Sequence, residues 1–307
     1  MHEYDTIIIG GGPAGLSAAL YASRANLNTL LLELGTLGGQ ISSTSEVENY
    51  PGSIRECTGP LLVERMKEQC IDFGTDIKIE RFTSFKKQDK YFVVSTEKDS
   101  YKSKTIIIAT GAYPKVIGCK GEKEFIGLGV SYCATCDANF FRGLKVMVVG
   151  GGDSAVDEGI YLTKFVEKVT IVHRRSELRA AKSLQKKAFS NPKIDFIWDS
   201  TIEEVKGNGI VRSVMIRNLK TEAVKEVPVD GVFVFIGYHP NTENFKDVIE
   251  MDNRGNILSD EDMNTNIPGV FVAGDVRKKT LKQVVTAAAD GAVAAVNAEK
   301  YIAKIFG

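Results

Sequence analysis

The sequence predicts an α/β protein built from two Rossmann-like, three-layer dinucleotide-binding domains. Three observations predict it. A strand, a glycine turn, a helix and a second strand follow one another twice, with the glycine turns beginning at Gly10 and at Gly150. The strands that enter those turns, Tyr4 to Ile9 and Lys145 to Val149, end in continuous rather than alternating apolar runs, Ile7 to Ile9 and Val146 to Val149, as buried parallel strands do. The length, 307 residues, suits roughly two domains.

The first copy runs Gly10-Gly11-Gly12-Pro13-Ala14-Gly15, then a helical stretch from Ala14 to Ala25, then a strand from Leu27 to Glu33. Gly10 permits the tight turn, Gly12 lets the backbone approach a pyrophosphate, and Gly15 lets helix meet strand. The helix N-terminus faces the phosphates. Glu33 closes the second strand where an acid accepts hydrogen bonds from a ribose diol. A bare GxGxxG is a weak signal; strand, helix and terminal acid around it make this one a dinucleotide site. Gly38-Gly39-Gln40 and Glu46-Val47-Glu48-Asn49-Tyr50-Pro51-Gly52 are rich in turn residues and read as ordered loop. Gly59 to Phe73 is an amphipathic helix, with Cys70 as a core filler. Asp76 to Lys102 reads as several short strands joined by charged turns. Thr105 to Ala109 is a further buried strand, closed by Thr110-Gly111.

A domain crossing is expected near Ala112 to Val116, followed by a loop to Gly129. The second copy is Gly150-Gly151-Gly152-Asp153-Ser154-Ala155, of the GxGxxA form, with a helix to about Phe165 and a strand from Val169 to His173. It duplicates the first βαβ unit. Lys193 to Val234 alternates strongly and predicts three or four antiparallel strands completing the second domain. Phe235-Ile236-Gly237-Tyr238-His239-Pro240-Asn241-Thr242 marks the return crossing, with His239 in a surface or packing role. Val270 to Asp275 is a short strand ending in an acid, which either binds a ribityl hydroxyl or starts a turn. Leu281 to Phe306 is a long alanine-rich helix.

The duplication permits an internal comparison. Glu33 lies 23 residues after Gly10, and the residue 23 after Gly150 is His173, followed by Arg174, Arg175 and then Arg179. One copy ends its second strand on an acid, the other on a basic cluster. An acid suits a free ribose 2′-hydroxyl, and arginines suit a 2′-phosphate. The first site is therefore expected to hold FAD or NAD, and the second NADPH rather than NADH.

Between the two fingerprints lies Ser131-Tyr132-Cys133-Ala134-Thr135-Cys136-Asp137. Three readings of its cysteines stand. They are half of a zinc site, although a structural zinc needs four ligands and no second CxxC exists. They are inert buried cysteines. Or they are a redox pair at the start of a helix, where the helix N-terminus favours one thiolate. Asp137 is then either a first-turn residue or the proton donor to the leaving thiolate. A flavin is the natural intermediary between a hydride donor and a disulfide.

Composition narrows the setting. Lysine plus arginine equal aspartate plus glutamate, 39 against 39, so nothing points to nucleic acid or an acidic membrane surface. Met1 to Asp5 lacks a signal peptide's basic region, and the run at Ile7 to Ile9 is too short to span a bilayer. Five irregularly spaced cysteines make no disulfide scaffold, so a cytoplasmic protein is expected.

Taken together, Gly10 to Gly15, Glu46 to Gly52, Cys133-Ala134-Thr135-Cys136-Asp137, Gly150 to Ala155, the cluster of His173, Arg174, Arg175 and Arg179, Gly237 to Thr242 and Gly274-Asp275-Val276 resemble, in this order and over essentially the whole chain, the low-molecular-weight, bacterial-type NADPH-dependent thioredoxin reductases. The resemblance implies an FAD domain formed by residues 1–114 and 242–307, and an NADPH domain, residues 115–241, inserted in it and carrying the CxxC. It implies a homodimer, thioredoxin as protein substrate, no metal, and a rotation of one domain against the other. Because the cysteines and the nicotinamide must both reach the flavin and the cysteines must also reach a bulky protein disulfide, hinges are expected near Val116 and Gly237. Flavin-binding residues would be Gly10, Gly12, Pro13, Ala14, Gly15, Glu33, Gly39, Gln40, Asn49, Ala109, Thr110, Gly111, Gly274, Asp275, Lys282 and Gln283. NADPH-binding residues would be Gly150, Gly152, Asp153, Ser154, Ala155, His173, Arg174, Arg175 and Arg179. Cys133, Cys136 and Asp137 would carry the chemistry, with Cys136 the sulfur nearer the flavin. Lys282 stands where many relatives carry arginine, and Cys57 and Cys119 fall outside the family pattern. A ferredoxin-fed reductase would have a degraded second nucleotide site, a ferredoxin–NADP reductase would lack the CxxC, and a flavin-binding redox sensor would lack rapid NADPH turnover.

Overall fold

A computed structural model describes residues 1–44, 47 and 49–307; Glu46 and Glu48 of the loop motif lie outside the described residues. The chain divides into two compact units, Met1–Tyr113 with His239–Gly307, and Pro114–Tyr238. In chain order the first unit opens with β1 (His2–Ile9), α1 (Pro13–Arg24), β2 (Thr29–Glu33), α2 (Gly59–Asp72), β3 (Asp76–Ile79), β4 (Phe82–Gln88), β5 (Tyr91–Thr96), β6 (Ser100–Ile108) and β7 (Ala112–Pro114). The second unit contributes β8 (Val130–Ser131), α3 (Ala134–Asp137), β9 (Lys145–Val149), α4 (Asp153–Leu162), β10 (Lys168–Val172), α5 (Lys182–Phe189), β11 (Ile194–Ile197), β12 (Ser200–Gly207), β13 (Val211–Asn218), β14 (Val224–Pro228) and β15 (Gly231–Val234). Then follow β16 (Tyr238–Pro240), which pairs with β7, and β17 (Val270–Val272) and α6 (Val284–Phe306), which complete the first unit.

The first unit's main sheet has the order β3-β2-β1-β6-β5-β4, with β17 also on β6. β3, β2, β1, β6 and β17 are mutually parallel, and β4, β5 and β6 form an antiparallel meander. The apolar run of β1 is continuous because both faces are buried. Ile8 joins Leu16, Ala18, Leu31 and Ile107 beneath the helices. Ile7 and Ile9 join Leu30, Leu32, Ile106 and Ile108 on the other face, under Phe82, Phe85 and Phe245.

In the second unit the sheet order is β11-β10-β9-β15-β8, every pair parallel. A separate antiparallel sheet, β12-β13-β14, covers one face. This corrects the expectation for Lys193 to Val234. Only its middle is antiparallel; Ile194–Ile197 and Gly231–Val234 are parallel members of the main sheet. The physical reason is two-sided burial. Phe233 packs into the helical layer while Val232 and Val234 pack under the small sheet, and a strand buried on both faces looks alike in either sense of pairing.

The termini of the first unit meet through small residues. α6 lies on α1, with Ala294, Ala295 and Ala298 buried and the Ser17 hydroxyl donating to the Ala288 carbonyl at 2.6 Å. A Cβ at Gly291 would run into the Ala14 carbonyl and come within 2.9 Å of the Ala18 nitrogen. Glycine to alanine inside a helix normally stabilises. Here the sign reverses: Gly291→Ala is expected to destabilise by about 1–3 kcal/mol through overpacking, read as a lower chemical-denaturation midpoint. A midpoint at or above the wild-type value would contradict this packing.

Candidate dinucleotide sites and redox disulfide

In the first unit the carboxyl ends of β1, β2, β6 and β17 lead directly into the predicted residues. β1 ends before Gly10, β2 ends on Glu33, β6 ends before Ala109-Thr110-Gly111, and β17 ends just before Gly274-Asp275. This is the edge of a parallel sheet at which ligands bind. Gly10 has φ +108°, and a Cβ there would meet the Ala109 carbonyl. A Cβ at Gly15 would run into the Gly10 carbonyl oxygen, so the first turn of α1 is drawn onto the strand end. Pro13 starts the helix, where its missing N–H costs nothing. Gly12, its N-cap, carries no side-chain cap, and a Cβ there would meet nothing within 4 Å. The turn therefore presents open backbone and a helix N-terminus, the features an anionic pyrophosphate requires.

The other residues gather around that turn. The Glu33 carboxylate accepts from the Gly11 N–H at 2.6 Å and from the Gly35 N–H at 3.0 Å. A Cβ on Gly39 would lie 3.6 Å from the Gly12 Cα, and one on Gly274 would lie 2.7 Å from the Ala14 Cβ. The Gln40 amide donates to the Ala112 carbonyl, and Asn49 Nδ2 donates to Gln283 Oε1 at 3.0 Å. The Thr110 hydroxyl donates to the Asn241 carbonyl at 2.7 Å, and Asn241 Nδ2 returns to the Thr110 carbonyl at 2.8 Å. Lys282 Nζ donates to the Asp275 carbonyl at 2.8 Å. Asp275 Oδ1 is buried and has no hydrogen-bond partner among the described residues, and burial raises its carboxyl above the usual range. A buried unpaired acceptor beside an uncapped glycine turn fits a polyhydroxylated dinucleotide such as FAD.

The second unit repeats the plan. β9 ends before Gly150, β10 before His173, and β15 before Phe235. Gly150 has φ +149°, and a Cβ there would meet the Phe235 carbonyl and Ala155. Gly152 caps α4 without a side chain and has open space around it. The basic segment is stitched across this turn: the Arg179 and Ala180 amides both donate to the Gly151 carbonyl, at 2.7 and 3.2 Å, and the Ala181 amide donates to Asp153 Oδ1 at 2.7 Å. Ser154 is exposed and Ala155 buried. Arg174, Arg175 and Arg179 are exposed and, among the described residues, form no ion pair. His173 lies against Gly151 with Nε2 buried and, among the described residues, without a hydrogen-bond partner. Burial first, then Arg179, Arg175 and Arg174, lower its basicity, so it stays neutral beside the arginines. Three unpaired guanidinium groups around a glycine turn fit a nucleotide bearing an extra phosphate.

β8 is what brings the cysteines to this edge. Its two residues pair with β15, Val130 beside Val232 and Ser131 beside Phe233. The chain then leaves the sheet at its carboxyl end, and Cys133 and Cys136 follow as a disulfide with Cα atoms 5.3 Å apart. Cys133 caps α3, and its Sγ accepts from the Cys136 N–H at 3.2 Å. An amide aimed at that sulfur stabilises the negative charge it carries when the bond opens. Asp137 is no cap. Its Oδ2 accepts from the Ser131 hydroxyl at 2.6 Å, and burial raises its carboxyl above the usual range while Ser131 opposes the rise. The Cys133 N–H donates in turn to Ser131 Oγ at 3.1 Å.

Sequence reasoning passed over Ser131 and Glu122. Glu122, 1% exposed, accepts from the Ile117 and Gly118 amides at 2.8 and 2.6 Å and from the Tyr132 hydroxyl at 2.9 Å, anchoring the segment before the cysteines. No local pattern marks either residue, because their partners are tertiary. Cys57 and Cys70 are buried, and Cys70 donates to the Leu16 carbonyl at 3.1 Å, as a core filler does. Burial pushes Cys119 up to about 11, which leaves it an unreactive thiol. The His239 ring lies 5.4 Å from that of Tyr113, a packing role.

Residues 4–291 match the family described as pyridine nucleotide-disulphide oxidoreductase. Among curated proteins, the thioredoxin reductase of Peptoclostridium acidaminophilum is 55% identical over 305 residues, covering 97% of each chain. That of Bacillus subtilis is 46% identical over 303 residues, covering 98% of this chain and 96% of its own. Among solved structures, the thioredoxin reductase of Streptococcus pyogenes is 48% identical and superposes with a TM-score of 0.94 over 99% of both chains.

Proposed function

The chain belongs to the pyridine nucleotide-disulphide oxidoreductase family, among the thioredoxin reductases, and from that premise we propose that it reduces the disulfide of thioredoxin with electrons from NADPH. The observation that carries this reading is the placement of a CxxC disulfide at the same sheet edge as a glycine turn and an unpaired arginine cluster.

The residues of the first unit would hold FAD. Gly10, Gly12, Pro13, Ala14 and Gly15 would face its pyrophosphate and Glu33 its ribose. Asp275 would take the polyol chain, and Gly39, Gln40, Asn49, Ala109, Thr110, Gly111, Gly274, Lys282 and Gln283 would complete the enclosure. When bound, FAD supplies the two-electron relay between nicotinamide and sulfur. Gly150, Gly152, Asp153, Ser154 and Ala155 would receive the NADPH pyrophosphate, and Arg174, Arg175 and Arg179, with neutral His173, the 2′-phosphate. Residues 1–114 and 242–307 would thus be the FAD domain and 115–241 the NADPH domain.

Opening the Cys133–Cys136 bond consumes two electrons and two protons and leaves two thiols. Both electrons and one proton derive from the NADPH hydride, and the second proton enters through Asp137. Asp137, whose carboxyl burial raises above the ordinary carboxylate range, supplies one proton to the departing sulfur. One thiolate then attacks the thioredoxin disulfide to form a mixed disulfide. The second thiolate displaces the reduced thioredoxin and restores the Cys133–Cys136 bond.

We also infer a homodimer. A groove lined by Leu16, Leu20, Tyr21, Tyr50, Met66 and Val285 lies open on the first unit, and a second copy of this chain is its occupant in this reading. No helix among the described residues is long and apolar enough to cross a membrane. We place the protein in the cytosol, without metal, where the thiol pool keeps Cys57, Cys70 and Cys119 reduced; cell fractionation tests the placement.

Three measurements test these readings. Anaerobic addition of NADPH to the purified yellow protein is expected to bleach the flavin, NADH to do so far more slowly, and oxidised thioredoxin to restore the colour; bleaching without recovery would remove thioredoxin as substrate. Asp137→Asn is expected to slow thioredoxin reduction by about 10²-fold or more. Because the wild-type group must be protonated, its rate falls as pH rises through the raised value, and the variant lacks that limb; an unchanged pH profile would take Asp137 out of the proton transfer. Sedimentation of the holoenzyme is expected at twice the chain mass, and a single-chain mass would refute the dimer.

A further inference from the structure

The turn after the last strand of the first unit crowds two carboxylates and three cations together. Asp290, on α6, is only 7% exposed. It accepts from the Gly274 N–H at 3.0 Å, Arg277 Nη1 at 3.1 Å and Lys279 Nζ at 2.7 Å. The side chains of Arg277 and Lys279 are 14% and 10% exposed, so these are interior ion pairs. Lys282 Nζ is occupied by the Asp275 carbonyl at 2.8 Å and by Asn256 Oδ1 at 3.2 Å. Asp275 sits in the middle of this array. Yet its Oδ1 is buried with no hydrogen-bond partner among the described residues.

That distribution is not the obvious one. An unpaired buried carboxylate attracts any cation in reach, because charge–charge attraction grows as water is excluded. Lys279 is in reach, because its ammonium bonds the same Asp290 oxygen, Oδ2, as the amide of Gly274, the residue before Asp275. Asp290 wins the competition because it is already fixed by the Gly274 amide and neutralised by two cations at once. The same bond to Gly274 fixes the backbone of the residue before Asp275. The consequence is a carboxylate oxygen left open in the interior.

We infer that Asp290 is a positioning residue for the flavin. By holding Lys279, Arg277 and the Gly274 amide, it keeps Asp275 Oδ1 available to accept a hydrogen bond from the cofactor's polyol chain. This rests on the reading of the first unit as the FAD site. The role is one of charge partition rather than of contact. Asp290 decides which carboxylate the lysine neutralises, and so whether Asp275 meets a ligand hydroxyl or a protein ammonium.

The test follows FAD release from purified holoenzyme by the rise in flavin fluorescence after dilution. Asp290→Asn keeps an oxygen for the Gly274 amide and frees Lys279 to pair with Asp275. FAD release is then expected to accelerate about tenfold or more. The double variant Asp290→Asn/Lys279→Met removes the freed ammonium and is expected to return release most of the way to wild type. Arg277 is not a second competitor, because Ser259 Oγ at 2.9 Å also holds it. A double variant as leaky as Asp290→Asn, or leakier, would overturn the inference, since a merely structural loss is not repaired by removing a second group. Should Asp290→Asn fail to fold, Lys279→Met alone decides. Release close to the wild-type rate supports charge partition, and rapid release would mean that the lysine itself holds the cofactor. Asp275→Asn separates the two levels: if it retains FAD as wild type does, the assignment of Asp275 to the flavin fails; if it leaks while Asp290→Asn does not, only the role of Asp290 fails.

Discussion

Where the Gly10 carbonyl oxygen lies, no side chain can stand at Gly15. This close approach of helix to strand is the constraint on which the first site depends. It draws the first turn of α1 onto the end of β1, so that the uncapped amides of the helix open over the parallel strand ends. In the second unit Ala155 takes the corresponding position, and it is Gly150 that has no room for a side chain, since a Cβ there would lie 2.6 Å from the Ala155 Cβ. Everything that would touch a nucleotide is then arranged by where neighbouring strands stop: Glu33 and Asp275 in one unit, His173 and the arginine segment in the other.

The two sites differ in how charge is left over. Around the first turn the acids are bound to amides or held near compensating cations, and one buried oxygen of Asp275 is unpaired. Around the second, the guanidinium groups are the unpaired charges, and the Gly151 carbonyl fastens the arginine segment through two amides. An interior acceptor without a donor and surface cations without an anion are complementary invitations, one to a hydroxyl, the other to a phosphate. The same βαβ frame thus presents opposite charge at the end of its second strand in the two units.

Much of this was legible along the chain. The continuous apolar runs of β1 and β9 predicted burial on both faces, and the fingerprints and the contrast of Glu33 with His173-Arg174-Arg175 are local. Reading failed where local pattern is degenerate. Val232, Phe233 and Val234 alternate between two cores, so the residues look the same whether the strand pairs parallel or antiparallel, and it is the neighbours β9 and β8 that make it parallel. Ser131 and Glu122 carried no signal, because a serine or glutamate becomes a positioning group only when its partners are brought to it.

Sequence alone determined that two glycine turns of the same form exist, that an acid closes the strand after one and arginines follow the strand after the other, and that a CxxC lies between them. Those properties depend on residue identity over a few consecutive positions, where backbone geometry follows from glycine, proline and the helix start. Only the tertiary structure decided that a two-residue strand would carry the cysteines to the edge of the second sheet. It also decided that Ser131 would reach Asp137 at 2.6 Å and that Asp290 would take the cations from Asp275. Partners such as Asp290 and Gly274 stand 16 positions apart on different elements. A preference among competing charges is set by distance and burial, which no run of neighbouring residues encodes.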